Sequence, residues 1–127
     1  MTRTEIEALE GRALDAAVAV ALFGWQGCRN AGHPDAARVG GWAIPPTTTP
    51  LPKGATVCPT PHYHEDWSTI PLIVKAMERY TCDFTLQKGG DWWYADFLCA
   101  PFCGDSAPTA VCRAALLALS EVNDDAD

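Results

Sequence analysis

The spacing of apolar residues along this chain predicts three helices. Apolar side chains recur every three or four positions over residues 4–22, 67–80 and 107–119, which is the period of a helix that buries one face. Pro71 and Pro108 fall in the first turns of the second and third segments, where the missing N–H of proline would have no partner in any case. The apolar positions are Ile6, Leu9, Ala13, Ala17, Val20, Ile70, Ile73, Met77, Tyr80, Cys112, Ala115, Leu116 and Leu119.

Between the second and third helices the period of the pattern falls to two. Apolar and polar side chains alternate over residues 82–87, which predicts a strand with one buried face. The glycine-rich residues 88–91 favour a tight turn, and residues 92–99 favour a returning antiparallel strand. We therefore expect the hairpin 81–99 to lie at the centre of a sheet, with a Pro/Gly-rich loop leading from it to the third helix.

The remaining segments have the composition of irregular chain. Residues 27–61 are rich in Gly and Pro, and within them only 39–44 favours a short strand. The acidic residues 121–127 are expected to fray. Helices with one apolar face need a sheet to pack on. The sequence therefore predicts a single α+β domain over residues 1–127, in which three helices pack on a mainly antiparallel sheet.

The net charge of the chain and the positions of its basic residues limit the kinds of partner that it can bind. The chain of 127 residues carries a formal net charge of −7, and its nine Lys and Arg residues are scattered singly. Polynucleotides and anionic membranes are bound through clustered basic residues, so we expect neither a nucleic-acid polymer nor a membrane as partner. The N-terminal residues are polar rather than an apolar leader, and Asp15 interrupts an apolar run that is too short to span a bilayer. These features predict a cytoplasmic protein.

Six cysteines and three histidines raise the question of a metal site. Cys58, His62 and His64 are the strongest set, because thiolate and imidazole are zinc ligands, and Cys99 or Cys103 could complete it. Their spacing matches no zinc finger or ribbon, so buried reduced thiols and surface-loop histidines account for the same residues. We expect no cofactor and keep zinc as the alternative.

Motifs of catalytic sites are absent from the sequence. It contains no phosphate-binding Gly-rich loop, no G-x-S-x-G elbow and no H-E-x-x-H. No cysteine lies in a local sequence that signals an activating base. Enzymatic activity is therefore not expected.

Aromatic residues and one isolated cation are the candidate ligand-binding features. Five tryptophans are many for this length, and the adjacent Trp92 and Trp93 face opposite sides of a strand. Such side chains either fill a core or stack on a flat ligand. Arg113 lies amid apolar neighbours, where a cation needs a partner. A salt bridge with Asp96 and a bound phosphate explain Arg113 equally well.

Several stretches of the chain resemble the phage ABA sandwich domain family, which consists of small proteins of bacteriophages and prophages. The matching stretches are GRALDAAVA at 11–19, FGW at 23–25, WSTIP at 67–71, WWYADF at 92–97 and APTAVCRAAL at 107–116. Residues 26–66 depart from the family pattern. The resemblance implies an α/β/α sandwich.

The family is similar in size and layering to phage anti-defence sponges, which bind cyclic ADP-ribose-type or cyclic oligonucleotide signals without cleaving them. Those proteins form dimers or hexamers with pockets at subunit contacts. The resemblance therefore implies a non-enzymatic phage or prophage accessory protein that sequesters a nucleotide-type immune signal as a homo-oligomer. The alternatives are a zinc-stabilised interaction protein and a hydrolase of cyclic nucleotide signals. The expected ligand-binding residues are Trp25, Trp93, Tyr94, Asp96 and Arg113.

Overall fold

The computed structural model describes residues 2–24, 26–27, 42–44, 58–59, 61–97 and 100–125. The helices in these residues are α1 (Arg3–Glu7), α2 (Gly11–Phe23), α3 (Ile70–Met77) and α4 (Ala107–Asp125). A short 3₁₀ helix, Trp67–Thr69, leads into α3. One small antiparallel sheet consists of β1 (Gln26–Gly27), β2 (Trp42–Ile44) and β3 (Cys58–Pro59). A second antiparallel sheet consists of β4 (Phe84–Gly89), β5 (Trp92–Phe97) and β6 (Ala100–Gly104).

The predicted hairpin is confirmed. β4 pairs antiparallel with β5, so that Phe84 lies opposite Phe97 and Gln87 lies opposite Tyr94. Gly90 in the turn has a φ of 55°, a conformation that favours glycine because a Cβ would be strained there. β5 is the central strand because β6 pairs with its other edge.

Strand β6 was not predicted, because its proline and glycine favoured a loop. It nevertheless pairs along its length with β5, with Pro101 opposite Asp96 and Gly104 opposite Trp93. β6 is the last strand of the sheet, and an edge strand tolerates proline because the missing N–H leaves no central ladder bond unmade.

The two faces of the second sheet differ in burial. The inner face consists of buried or half-buried apolar residues, apart from the exposed Lys88 opposite Trp93, and the outer face consists of more exposed residues. On the inner face are Phe84, Leu86, Trp93, Ala95, Phe97, Ala100 and Phe102. On the outer face are Thr85, Gln87, Trp92, Tyr94, Asp96, Pro101 and Cys103. This alternation is the period of two that the sequence showed for β4.

Helix α4 is the centre of the core. It packs on β5 and β6 on one side and on α1, α2 and α3 on the other, so almost its whole circumference is buried. Its small residues, among them Ala110, Ala114 and Ala118, are wholly buried and allow this close packing. Gly104 serves the same purpose on β6, because a Cβ built there would lie 2.8 Å from the backbone N of Ala110.

The α+β class and the packing of helices on an antiparallel sheet are therefore confirmed. In the described part the layers follow the order sheet, α4, outer helices. The second helical layer implied by the sandwich resemblance thus packs on α4 rather than on the outer face of the sheet.

The predicted first helix is divided into two. α1 begins with a capping box, in which the Thr2 side chain accepts from Glu5 N and the Glu5 side chain accepts from Thr2 N. The hydrogen bond from the Thr2 backbone N–H lowers the pKa of the Glu5 carboxyl group. The helix ends at Glu7, and α2 starts at Gly11, whose φ of 55° interrupts the helical path. Apolar spacing continues through the break and therefore could not reveal it.

Two other helix ends also differ from the prediction. α4 continues to Asp125, into the segment that was expected to fray. The second predicted helix begins as a 3₁₀ turn in which Asp66 Oδ1 accepts from Ser68 N at 2.9 Å and from Ser68 Oγ at 2.7 Å. These bonds lower the pKa of Asp66.

None of the described helices is both long enough and apolar enough to cross a membrane.

Candidate functional site

Two cavities flank α1 and the start of α2. The first, which we call the β6-edge cavity, has a volume of about 340 Å³ and is lined by Arg3, Glu7, Tyr94, Pro101, Phe102 and Cys103. The second, which we call the α2-start cavity, has a volume of about 270 Å³ and is lined by Glu10, Gly11, Leu14, Asp105, Thr109 and Arg113. Each cavity therefore contains one guanidinium group, and the β6-edge cavity also contains a tyrosine.

Arg3 is held at the edge of the sheet by two contacts. Its Nη2 donates to the carbonyl oxygen of Pro101 at 2.7 Å, and its guanidinium carbon lies 4.8 Å from the ring centroid of Phe102. In the part of the chain that the structure describes, Pro101 O is its one hydrogen-bond acceptor. Because a guanidinium has five N–H donors, most of its donors can bind a ligand.

Tyr94 and Asp96, two of the expected ligand-binding residues, lie together on the outer face of β5. The Tyr94 hydroxyl donates to Asp96 Oδ2 at 3.3 Å. The other carboxylate oxygen, Oδ1, is buried and has no hydrogen-bond partner among the described residues. Asp96 thus orients the hydroxyl of Tyr94, and Tyr94 brings its side chain to the β6-edge cavity.

Arg113 does not join this pair. Its Nη2 donates to Leu9 O at 3.1 Å and to Glu7 O at 3.5 Å, which are carbonyl groups at the end of α1. Arg113 and Asp96, both described, form no ion pair, so the salt bridge that was one of the two explanations for Arg113 is wrong. The reason is the layering, since α4 covers the inner face of the sheet and Asp96 lies on the outer face.

Trp93 also lies apart from Tyr94. Its half-buried ring is on the inner face, packed against the core, where it meets the exposed ring of Trp67 edge-on at 5.2 Å between centroids and 81° between planes. Lys88 Nζ lies 5.9 Å from the Trp93 ring centroid. Successive residues of a strand face opposite ways, so Trp93 and Tyr94 lie on opposite faces of the sheet, and Trp93 is not among the residues that line the β6-edge cavity. Trp25, the other predicted stacking residue, lies outside the described residues.

The predicted metal ligands are engaged with carboxylates. His64 Nδ1 lies 2.8 Å from Asp15 Oδ1, and His62 Nδ1 lies 2.9 Å from Glu65 Oε1. The side chain of Cys58 and the whole of Cys99 fall outside the described residues, and Cys103 lines the β6-edge cavity. Across the described ranges, no group of three or more His, Cys, Asp or Glu side chains is placed to hold a metal ion.

The sequence pattern did not reveal the roles of two residues, Arg3 and Asp15. Arg3 lies 98 positions from its partner Pro101, and no local pattern indicates so distant a contact. Asp15 is wholly buried in α2, and the signal for it was present, because a charge inside an apolar run needs a buried partner.

The thiols of the described cysteines differ in environment. Cys82 and Cys103 are exposed, whereas Cys112 is wholly buried in α4. Burial raises the pKa of Cys112, and the neighbouring carboxylate of Asp15 raises it further. Its Sγ donates to Tyr63 O at 3.4 Å. Cys112 is therefore a protonated core residue rather than a nucleophile.

Comparison with protein-family models, with curated proteins and with solved structures gives no match to this chain. The resemblance to the phage ABA sandwich family stays a prediction, and the case for a function depends on the geometry above.

Proposed function

We propose that this chain is a phage or prophage accessory protein that binds a small nucleotide-type immune signal and sequesters it without cleaving it, in the cytoplasm of the host cell. The observation that carries the proposal is that Arg3 and Tyr94 line the same cavity. A nucleotide offers the two complementary groups, a phosphate and a flat base.

The contacts available in the β6-edge cavity suit such a ligand. A guanidinium can bind a phosphate through two parallel hydrogen bonds, and Arg3 is already oriented by Pro101 O and Phe102. Stacking of a base on an aromatic side chain contributes roughly 1–3 kcal/mol. The volume of about 340 Å³ is in the usual range for small-molecule sites.

Charge limits the ligand to a small one. The chain has a formal net charge of −7, and Glu7 lines the cavity beside Arg3, so a polynucleotide would meet repulsion over most of its length. A small ligand that places one phosphate group against Arg3 meets much less of this negative charge than a polymer does. For this reason neither a nucleic-acid polymer nor a membrane belongs to the proposal.

Ligand release by heat tests the function. The purified protein is incubated with cyclic ADP-ribose or with a cyclic dinucleotide, freed of unbound ligand, and heated. Mass spectrometry then identifies the released molecule. Intact ligand in stoichiometric amount supports sequestration. A cleaved product would make the protein a hydrolase, and absence of any retained nucleotide would contradict the proposal.

Metal analysis tests the alternative function, that of a zinc-stabilised interaction protein. A zinc-stabilised interaction protein would carry stoichiometric zinc after purification. Elemental analysis of the wild type and of His62→Ala measures this directly. We expect no zinc in either protein, because no group of three or more His, Cys, Asp or Glu side chains among the described residues is placed to hold a metal ion.

A further inference from the structure

The two edges of the second sheet differ in how they are protected. The β6 edge carries Pro101, and Arg3 donates to the carbonyl of that residue, so a further strand cannot pair along it. The β4 edge, Phe84–Gly89, carries no proline, and among the described residues β4 pairs with β5 alone. Exposed strand edges of this kind pair with other chains unless they are blocked.

The register of the hairpin determines which backbone groups of β4 point outward. Residues 90 and 91 form the turn, and Gly89 lies opposite Trp92. In a hairpin with a two-residue turn the flanking pair exchanges both hydrogen bonds, and bonded pairs then alternate along the ladder. The N–H and C=O groups of Phe84, Leu86 and Lys88 therefore point away from β5.

The outward N–H and C=O groups of β4 can form hydrogen bonds with the same groups of a second copy of the chain. In an antiparallel arrangement with Leu86 opposite Leu86 of the other copy, Phe84 lies opposite Lys88, and every outward N–H and C=O group has a partner. If the register shifts by two residues, the outward N–H and C=O groups of one residue in each copy have no partner. The Leu86-centred register is thus the best satisfied one.

The side chains along this edge also favour a second copy. Phe84 and Leu86 pack against the core but are only half-buried. In this register Leu86 of the other copy would cover the exposed part of Leu86, and the methylene groups of Lys88 would cover that of Phe84. On the outer face, Thr85 would lie opposite Gln87 of the other copy. No two like charges come opposite each other, because Lys88 is the one charged residue of β4.

We infer that the protein forms a two-fold dimer in which the β4 strands of two copies pair antiparallel about Leu86, giving a continuous six-stranded sheet. The β6-edge cavities lie at the two outer ends of that sheet, so each copy keeps its own cavity. The dimer does not depend on the proposed ligand, and its test uses none.

Cysteine substitutions test both the dimer and its register. The starting chain carries Cys82→Ser and Cys103→Ser, which remove the exposed thiols of the described residues. Thr85→Cys and Gln87→Cys are then introduced in separate chains. Both positions are exposed, so the monomer fold is unaffected, and circular dichroism checks this. Oxidation is followed by non-reducing electrophoresis and by mass spectrometry of the linked peptides.

The register predicts a specific pattern of cross-links. A mixture of the two variant chains forms a disulfide between positions 85 and 87, because non-bonded pairs bring Cα atoms within disulfide range. Either variant alone forms no cross-link beyond that of the starting chain. Sedimentation of the wild type should show a dimer. A monomeric wild type, or a dimer whose mixed variants do not cross-link between 85 and 87, would overturn the inference.

Discussion

His64 is fixed to a carboxylate in the protein interior. Its ring Nδ1 lies 2.8 Å from Oδ1 of Asp15, and its backbone N–H donates to the same oxygen at 2.7 Å. Asp15 is wholly buried in α2, so one carboxylate joins α2 to the segment that precedes α3. Two hydroxyl groups, from Ser106 and Thr109, donate to the carbonyl of His64 and join the same segment to the start of α4.

This relationship predicts a large effect of Asp15→Ala on stability. The substitution removes the acceptor of the part-buried His64 N–H, which costs about 1–3 kcal/mol of unfolding free energy. Asp15→Asn should cost less, because an amide oxygen can still accept from His64 N. Urea denaturation measures both, with Asp91→Ala in the exposed turn as the control. Equal midpoints for Asp15→Ala and the wild type would show that the contact does not stabilise the fold.

The close contact of β6 with α4 predicts that an alanine lowers stability more at Gly104 than at Gly89. Gly104→Ala places a Cβ 2.8 Å from the backbone N of Ala110, so helix and strand must separate, at a cost of about 1–3 kcal/mol. Gly89→Ala meets instead the ring of Trp92, which is 49% exposed and can move aside. Thermal denaturation should therefore show a much lower melting temperature for Gly104→Ala. The reverse order would contradict the packing described for α4.

The position of Arg113 predicts a structural role. Its guanidinium donates to carbonyl groups at the end of α1, and hydrogen bonds to charged groups contribute about 1.5–3 kcal/mol. Arg113→Ala should lower the unfolding free energy by about that amount, while the ligand affinity of the folded protein stays unchanged. Arg79→Ala, at an exposed position, is the control. Lost ligand binding with unchanged stability would assign Arg113 to the site instead.

The environment of Cys112 predicts its reactivity. Burial raises its pKa, so the thiol stays protonated at neutral pH and becomes reactive only at pH values above that raised pKa, or on unfolding. Iodoacetamide at neutral pH should label Cys82 and Cys103 but not Cys112, and unfolding in urea should make all three react. Peptide mass spectrometry distinguishes them. Rapid labelling of Cys112 in the folded protein would contradict its place in the core.

Local pattern was sufficient to predict the hairpin and the three helical segments. The alternation over residues 82–87 and the glycine turn define β4, the turn and β5 without reference to the rest of the chain. β6 was missed because Pro101 and Gly104 disfavour a strand locally, whereas pairing with β5 and packing under α4 favour it through contacts distant in sequence. The division of α1 from α2 was missed because the apolar spacing continues across it.

The candidate site could be predicted only where its residues are close in sequence. Tyr94 and Asp96 are two apart on a strand, so their common face followed from the period of β structure. The partner of Arg113 could not be chosen, because the choice depends on which face of the sheet α4 covers. Arg3 joins Tyr94 through the position of α1 at the β6 edge, which no local pattern encodes.

Calorimetric titration of Arg3→Gln tests the central claim most directly. Cyclic ADP-ribose and a cyclic dinucleotide are titrated into the wild type, into Arg3→Gln and into the control Arg79→Gln, which removes a guanidinium from another exposed position. Loss of a charge-assisted phosphate contact worth about 1.5–3 kcal/mol weakens binding by roughly 10- to 100-fold. We expect that loss for Arg3→Gln and unchanged affinity for Arg79→Gln. A wild type that binds neither nucleotide, or an Arg3→Gln variant that binds as tightly as the wild type, would contradict the proposed site.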